Sequence, residues 1–386
     1  MDGTDPGTVR DAIETRDPLP GTAGFAGVVD GQFVRDVLGR RPLFVDADDP
    51  GEWAFERRTL GDPKSVSPGT VRALDGFEES SGSEYSAPED CFWALPSPDP
   101  VSDADDAVAA VRAAVLDRTR AIGASGESDG SQSDDVAVAF SGGIDSAVVA
   151  AGVPDAPCYV AGFEGCHDVA AARNAAAAMN RDLRVVELTH DDIREGVPEL
   201  VDVLGRTNPM DLSIALPLVR VAGRAAADGF DRLALGQGAD ELFGGYAKVS
   251  KAPEDPRVEA DTVRGARREL LGTIPDQAER DVLALRSAGV EPVTPLLHDD
   301  VVAAALALPG DLLVDGDRRK VALREAARGV VPDSVRTADK KAVQYGTYVS
   351  RELDRLARQA GFKRRMENHV ERYVRSLVDG GEPEID

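Results

Sequence analysis

The spacing of apolar residues divides the chain into three parts. Residues 1 to about 90 contain short apolar runs, such as FAGVVD and PLFVDA, between Gly, Pro and Asp, a pattern that predicts a small β-rich domain. Residues 91–106 carry several prolines and predict an extended linker. From Ala107 the run AVAAVRAAVLDRTRAI has helical spacing and begins a larger domain that extends to residue 386.

Within this larger domain, short uncharged runs alternate with amphipathic stretches. The predicted strands are Val136–Phe140, Cys158–Phe163, Leu183–Leu188 and Arg232–Gly236. The predicted helices begin at Asp145 and span Asp168–Asn180 and about Ile214–Ala227. This alternation predicts an α/β fold with a doubly wound parallel sheet, followed by a mostly helical part from about Glu254.

Charge adds a clue to habitat. The 386 residues include 69 acidic and 44 basic side chains, so the formal net charge is −25. Such a surface would repel a phosphate backbone, which disfavours a general nucleic-acid-binding role. The acids are spread along the chain and only seven of the basic residues are lysines. This distribution favours adaptation to high salt, where self-repulsion is screened, over recruitment of basic partners.

Targeting and metal-binding signals are absent from the sequence. No stretch approaches 18 consecutive apolar residues, and the first 30 residues lack the basic and apolar regions of a secretory signal. Cys91, Cys158 and Cys166 form no CxxC pair, and the four histidines have no metal-ligand spacing. We therefore expect a cytoplasmic protein without a membrane span, a disulfide scaffold or a structural zinc.

The segment VAVAFSGGIDSAVVA carries the strongest chemical signal. A strand ends, the chain turns through Ser141, Gly142 and Gly143, and a helix begins near Asp145. Glycines allow close backbone approach, and the first N–H groups of a helix attract anions such as pyrophosphate. Ser141 and Ser146 add hydroxyl groups. Alternatively, the segment is an ordinary glycine turn capped by Ser141.

The segment RLALGQGADELFGGYAK carries a second signal, again directly after a strand. It is rich in glycine and has Asp240 and Glu241 at its centre. Loops that follow neighbouring strands of a doubly wound sheet can face one crevice. Asp145 and Asp240 could then share a Mg²⁺ that also binds ATP phosphates. Alternatively, Asp240 and Glu241 only begin a helix as part of a capping box.

These two segments together resemble the asparagine synthetase B family of PP-loop ATP pyrophosphatases. The resemblance continues through PLLHDDVVAAALALPGDL (Pro295–Leu312) and KVALREAARGVVPDSV (Lys320–Val335), and covers about Ala107 to Tyr348. RTADKKAVQYGT and GQGADE are similar to the archaeal and eukaryotic asparagine-synthetase-like subgroup. The resemblance implies an adenine nucleotide alpha hydrolase-like fold for residues 107–386.

The resemblance also implies a chemistry. In that family a carboxylate attacks the α-phosphate of ATP, pyrophosphate leaves, and a nitrogen nucleophile then displaces AMP. The implied ATP-binding residues are Ala139, Ser141, Gly142, Gly143, Asp145, Ser146, Gly236 and Gly238. The implied Mg²⁺ ligands are Asp145 and Asp240. The implied catalytic residues are Lys320, Lys340, Asp240, Glu241 and Gln237. Lys341, which follows Lys340 directly, is a weaker candidate.

The chain departs from the family pattern at two neighbouring positions. Gln237 replaces a glutamate that is thought to move protons during amide formation, and Leu235 replaces a serine. An amide does not titrate in the useful range, so Gln237 cannot act as a general base. Residues that would select aspartate are not identified by the motifs, and the candidates are Asn208, Asp211 and Ser213.

The first 90 residues resemble only the later half of a glutaminase domain, through the run RDVLGRRPL. In the family this domain works through an N-terminal cysteine, whereas position 2 here is Asp2. Without a thiolate at that place we expect no intrinsic glutamine hydrolysis. Residues 1–90 are therefore predicted to be a truncated, degenerate glutaminase-like domain.

The predicted function is an ATP- and Mg²⁺-dependent, AMP-forming carbon–nitrogen ligase. Aspartate is the first expected substrate, with ammonia or a partner glutaminase as the nitrogen donor and a homodimer as a possible assembly. One alternative is a PP-loop enzyme that adenylates another substrate, for example a modification enzyme, although the acidic surface argues against tRNA. The other is a non-catalytic nucleotide-binding scaffold, against which the retained charged residues argue.

Overall fold

A computed structural model describes residues 1–49, 51–74, 91–124, 136–246, 249, 262–338 and 346–380. Their contacts form two compact units. Unit 1 comprises Met1–Arg118, Gln237–Glu279 and Thr294–Ala326. Unit 2 comprises Thr119–Gly236, Arg280–Val293 and Ala327–Asp386. The division at residues 90 and 107 that the sequence suggests stays a prediction.

The described segments contain the following elements. The strands are β1 (Ala26–Val29), β2 (Gln32–Arg35), β3 (Phe44–Asp46), β4 (Trp53–Ala54), β5 (Pro63–Ser65), β6 (Val71–Ala73), β7 (Val136–Ala139), β8 (Cys158–Gly162), β9 (Leu183–Glu187), β10 (Arg232–Ala234), β11 (Glu291–Val293), β12 (Val314–Asp315) and β13 (Arg318–Arg319). The helices are α1 (Pro6–Thr15), α2 (Ala104–Ala124), α3 (Ile144–Gly152), α4 (His167–Met179), α5 (His190–Leu204), α6 (Pro209–Ala227), α7 (Ala239–Phe243), α8 (Val263–Leu271), α9 (Ile274–Ser287), α10 (Asp299–Leu306), α11 (Gly310–Leu313), α12 (Val321–Ala326), α13 (Asp333–Arg336), α14 (Val349–Gln359) and α15 (His369–Asp379).

Unit 1 contains two small antiparallel sheets near the N-terminus, in the orders β1-β2-β6 and β4-β3-β5. Phe25 and Val34 are buried in one core with Trp93, which comes from the predicted linker and contacts the Phe25 ring edge-on at 5.6 Å. The predicted β-rich character is therefore confirmed. Helix α1 was not predicted, although Asp5 caps it and Pro6 occupies its first turn.

Unit 2 is built on a five-stranded parallel sheet in the order β11-β10-β7-β8-β9. The predicted doubly wound α/β fold is confirmed. The chain proceeds from β7 outward to β8 and β9, and then returns to place β10 on the other side of β7. This reversal makes the carboxyl ends of β7 and β10 the topological switch point, where such sheets bind ligands.

Several boundaries differ from the predicted ones. Helix α5 was missed, although Thr189 and Asp192 form a capping box at its start. Helix α6 begins at Pro209, five residues before its predicted start, because Asn208 caps it there. Strand β11 was also missed because it has only three residues, one of them proline. Among the described helices, none is long and apolar enough to cross a membrane.

Candidate active site

The segment Ser141–Ser146, termed the SGGIDS loop, joins β7 to α3 in unit 2. Gly142 has a left-handed backbone, with φ of 76°. A Cβ atom at this position would lie 2.6 Å from the carbonyl oxygen of Ala171 in α4. The backbone conformation and the close packing on α4 each require glycine here. These two reasons hold whether or not the loop binds a ligand.

Helix α3 begins at Ile144, and its N-cap is Gly143, which provides no side-chain cap. The alternative that Ser141 caps an ordinary turn is therefore wrong. The first N–H groups of a helix point outward along its axis and can bind an anion. Together with the partial positive charge of the helix start, this geometry suits a phosphate group.

The Ser146 hydroxyl holds the SGGIDS loop in shape. Its Oγ lies 3.2 Å from the backbone N of Ser141, 3.2 Å from Ser141 Oγ, and 3.2 Å from the carbonyl oxygen of Gly143. Ser146 is buried, whereas Ser141 is only half-buried. The predicted phosphate ligand Ser146 thus also braces the loop.

The end of β10 lies directly against this loop. A Cβ atom on Gly236 would be 2.8 Å from both the carbonyl carbon and the Cβ of Asp145, so only glycine allows this approach. Ala139 is the last residue of β7 and the one residue of that strand that is half-buried. Unit 2 therefore brings together the end of β10, the end of β7 and the SGGIDS loop, as the sequence predicted for neighbouring strand ends.

The segment Gln237–Tyr246, termed the Asp240 loop, lies in unit 1 and contains α7. Asp240 Oδ1 is 2.7 Å from the Lys320 Nζ. The Lys320 side chain is 9% exposed and that of Asp240 is 46% exposed, so the ammonium is buried while the carboxylate remains open on one side. Two residues that the sequence assigned to catalysis, 80 positions apart, therefore form one ion pair.

Gly245 makes room for this ion pair. A Cβ atom at Gly245 would lie 1.7 Å from Asp240 Oδ1 and 2.4 Å from Lys320 Cε. Arg319 Nη1 donates a hydrogen bond of 2.6 Å to the carbonyl oxygen of Gly245, which fixes this backbone. The sequence analysis assigned no role to Gly245 or Arg319. The one signal available was that Gly245 belongs to the glycine-rich run FGGY.

Glu241 points into a different environment from its neighbour. It is 3% exposed, and its Oε1 accepts hydrogen bonds from Tyr246 Oη at 2.6 Å and from Gln277 Nε2 at 2.9 Å. Burial raises the pKa of Glu241, and the Asp240 charge raises it further. These contacts favour a role in holding the loop over contact with a substrate.

The capping-box alternative for Asp240 and Glu241 is wrong. The N-cap of α7 is Gly238, which has φ of 85° and no side-chain cap. A Cβ atom on Gly238 would lie 2.3 Å from Leu297 Cδ2, so packing as well as backbone conformation requires glycine. The carboxylates of the first turn bond to other side chains.

The remaining predicted residues have various environments. Gln237 is half-buried, and Lys340 and Lys341 lie outside the described residues. Of the candidates for aspartate selection, Asn208 accepts a hydrogen bond from the Met210 backbone, Ser213 donates one to the Pro209 carbonyl, and Asp211 pairs with Arg280 at 3.1 Å. All three side chains are thus engaged within unit 2.

Within the described segments, no cluster of three or more His, Cys, Asp or Glu side chains could hold a metal ion. Mg²⁺ does not require such a cluster, because it commonly binds one or two carboxylates together with substrate phosphates and water. The open side of the Asp240 carboxylate is a hard oxygen donor of the required kind.

Comparison with known proteins identifies the class to which this geometry belongs. The family model described as asparagine synthase matches residues 130–286 and 250–380, which together exceed half of the chain. The chain belongs to the asparagine synthase family, and the resemblance carried by the motifs is confirmed.

Individual relatives agree. The chain is 26% identical over 282 residues to the putative asparagine synthetase [glutamine-hydrolyzing] 1 of Methanocaldococcus jannaschii, covering 64% of this chain and 52% of that protein. It is 26% identical over 232 residues to asparagine synthetase B [glutamine-hydrolyzing] of Escherichia coli, covering 54% of this chain and 41% of that protein. The chain thus spans about half the length of the curated relatives it matches.

Proposed function

We propose that this protein is an ATP- and Mg²⁺-dependent, AMP-forming carbon–nitrogen ligase that adenylates a carboxylate, with aspartate as the first substrate to test. The observation that carries the proposal is the ion pair between buried Lys320 and half-exposed Asp240. Burial of an ammonium costs desolvation energy, and a buried positive charge can stabilise the negative charge that develops during transfer of an adenylyl group. Membership of the asparagine synthase family supports the same assignment.

Each part of the site has a proposed role. The SGGIDS loop binds the pyrophosphate of ATP through the first N–H groups of α3 and the Ser141 hydroxyl, while Ser146 braces the loop. Lys320, with Lys340, stabilises negative charge that develops at the α-phosphate. Asp145 and Asp240 are the proposed Mg²⁺ ligands, and bound Mg²⁺ would neutralise phosphate charge.

Adenosine contacts are proposed at the backbone of Ala139, Gly236 and Gly238. Half-burial of Ala139 and Gly236 supports this assignment, because a nucleotide can reach residues that still expose some surface.

The amide-forming step needs a nucleophile that has already lost its proton. Gln237 cannot act as a general base, so we propose that neutral ammonia attacks the acyl-adenylate, that AMP leaves as the C–N bond forms, and that the proton released from the nitrogen passes to water or to the departing phosphate. Ammonia would come from solution or from a partner glutaminase. Cytoplasmic location, adaptation to high salt and a homodimer stay predictions.

The decisive experiment is acid-dependent ATP–pyrophosphate exchange with Mg²⁺ in high potassium, across a panel of carboxylic acids. Exchange stimulated by aspartate, and its loss in Asp240→Asn, would support the proposal. Stimulation by a different acid would favour the alternative adenylating enzyme, which the internal engagement of Asn208, Asp211 and Ser213 also favours. Absence of exchange with every acid would favour the non-catalytic scaffold.

A further inference from the structure

Residues 1–74, termed the N-terminal region, contribute a buried arginine to the interior of unit 1. Arg40 is 2% exposed. Its Nε donates to Asp36 Oδ1 at 2.8 Å, and its Nη1 donates to Asp299 Oδ1 at 2.7 Å and to the Leu297 carbonyl oxygen at 2.6 Å. One guanidinium group therefore joins the N-terminal region to a segment more than 250 residues later in the chain.

The charges around Arg40 make this connection rigid. Burial by itself would lower the pKa of Arg40, but the carboxylates of Asp36 and Asp299 outweigh it, and the pKa is raised. Asp299 also accepts a hydrogen bond of 2.7 Å from the Thr22 backbone N. Loss of Arg40 would leave both buried carboxylates without their counter-charge, so the guanidinium group holds Asp36 and Asp299 together.

The connection continues to the Asp240 loop through Leu297. The Leu297 backbone is fixed by Arg40, and its side chain occupies the space beside Gly238, where a Cβ atom would approach Cδ2 to 2.3 Å. Gly238 is the N-cap of α7, which carries Asp240. Leu297 therefore packs directly against the residue from which this helix begins.

A second connection from the N-terminal region ends near the same loop. Ser65 Oγ donates to Glu279 Oε2 at 2.6 Å, and Arg35 Nη2 lies 3.7 Å from the same oxygen. Two residues before Glu279, on the same helix α9, Gln277 donates to Glu241. The first connection therefore reaches Leu297, which lies against Gly238, and the second reaches helix α9, which also carries the Glu241 partner Gln277.

We propose that the N-terminal region positions the Asp240 loop, and that Arg40 is its principal positioning residue. The RDVLGRRPL run supplies Arg35, Asp36 and Arg40, so these residues serve the ATP site of the synthetase part rather than glutamine hydrolysis. The expected effect of Arg40 on catalysis rests on the proposed function, whereas its effect on the position of the Asp240 loop does not.

The test uses the full chain and two variants, each altering one step of the connection. Arg40→Lys keeps the positive charge but removes the guanidinium nitrogen Nη1 that donates a hydrogen bond to the Leu297 carbonyl oxygen. Leu297→Ala keeps that bond but removes the side chain beside Gly238. Val9→Ala is the matched control, because Val9 is fully buried in the N-terminal core with Phe25 and Trp93.

Amide hydrogen exchange of residues 237–246 is measured first. Both variants should accelerate it by roughly tenfold or more, Arg40→Lys through loss of a charge-assisted hydrogen bond and Leu297→Ala through loss of buried packing beside Gly238, whereas Val9→Ala should not. Unchanged protection of 237–246 in Arg40→Lys, or equal acceleration in Val9→Ala, would overturn the proposal. If Arg40→Lys fails to fold, unchanged protection of residues 237–246 in Leu297→Ala would overturn the proposal instead.

ATP–pyrophosphate exchange is measured on the same samples. Both variants should lower kcat by about tenfold to a hundredfold with a smaller change in KM for ATP, because displaced catalytic groups act mainly in the transition state. A change confined to KM would contradict a positioning role. If the unmodified chain shows no ATP–pyrophosphate exchange with any acid, the proposed function fails. Amide hydrogen exchange would still show whether the N-terminal region positions the Asp240 loop.

Discussion

The SGGIDS loop and the Asp240 loop are both glycine-rich and both follow a parallel strand, but they are stabilised differently. The SGGIDS loop is held by backbone packing of Gly142 and by the Ser146 hydroxyl. The Asp240 loop is held by charges, through the Lys320 ion pair and the buried Glu241. We infer that the first is preformed for an anion, whereas the second already compensates its own charge.

This difference has a chemical consequence. In the proposed function, the SGGIDS loop gains stability when an anion binds at the start of α3. In the Asp240 loop, one carboxylate oxygen already pairs with Lys320, so a ligand that binds there acts on an ion pair on which the proposed catalysis depends. Substitutions in the second loop should therefore affect catalysis more than substitutions in the first.

The largest effect is expected from Lys320→Met. Removing the buried ammonium should reduce ATP–pyrophosphate exchange by about a hundredfold to a thousandfold, as for loss of one transition-state charge contact. Lys64→Met is the control, since Lys64 is 60% exposed and pairs only with Asp62 among its described contacts. Equal activities of the two variants would rule out a catalytic role for Lys320.

A smaller effect is expected from Gly245→Ala. The added methyl group would collide with Asp240 Oδ1 and separate it from Lys320, so exchange should fall by about tenfold to a hundredfold. Gly223→Ala is the control, because a Cβ atom on this glycine of α6 meets no atom within 4 Å. Full activity of Gly245→Ala would show that the ion pair tolerates displacement.

Ser146→Ala tests the SGGIDS loop. Loss of the hydroxyl that contacts Ser141 should raise KM for ATP by roughly tenfold and leave kcat within a few-fold, because a loosened loop binds phosphate less well. Ser287→Ala, which removes a hydroxyl bonded only to its own helix in the described contacts, should leave KM unchanged. A fall in kcat without a change in KM would reverse the comparison between the loops.

The smallest effect is expected outside both loops, at Asp228. Its carboxylate accepts hydrogen bonds of 2.7 Å from Tyr159 Oη and Arg184 Nη1, which lower its pKa from 3.8 to about 2. A depressed carboxyl pKa stabilises the fold above the ordinary value, and this stabilisation is lost as pH falls through about 2.

Asp228→Asn should therefore flatten the dependence of the unfolding free energy on pH between about 4 and 2, measured by urea unfolding. The exposed Asp155, changed to Asn, is the control. An unaltered pH slope in Asp228→Asn would indicate that other carboxylates dominate acid unfolding.

The sequence predicted the parallel sheet and the two loops because apolar runs and glycines are local signals. It did not predict the contacts that join distant residues, such as Gly245 with Lys320 or Arg40 with Asp299, because burial is decided by tertiary packing. Trp93 illustrates the same limit. The prolines around it predict a linker, yet the fold buries its indole ring in a core. Helix α5 was missed despite its capping box because Gly196 and Pro198 lie inside it, and both residue types disfavour a helix interior.

Lys320 also has a left-handed backbone, with φ of 57°, which costs a residue with a side chain of this kind on the order of 1 kcal/mol or more. Glycine or asparagine would adopt this conformation more readily. Selection for melting temperature alone would therefore tend to discard this lysine. A library of stabilised variants should be screened for adenylation as well as for heat resistance, since the position that strains the backbone is the one we expect the reaction to need most.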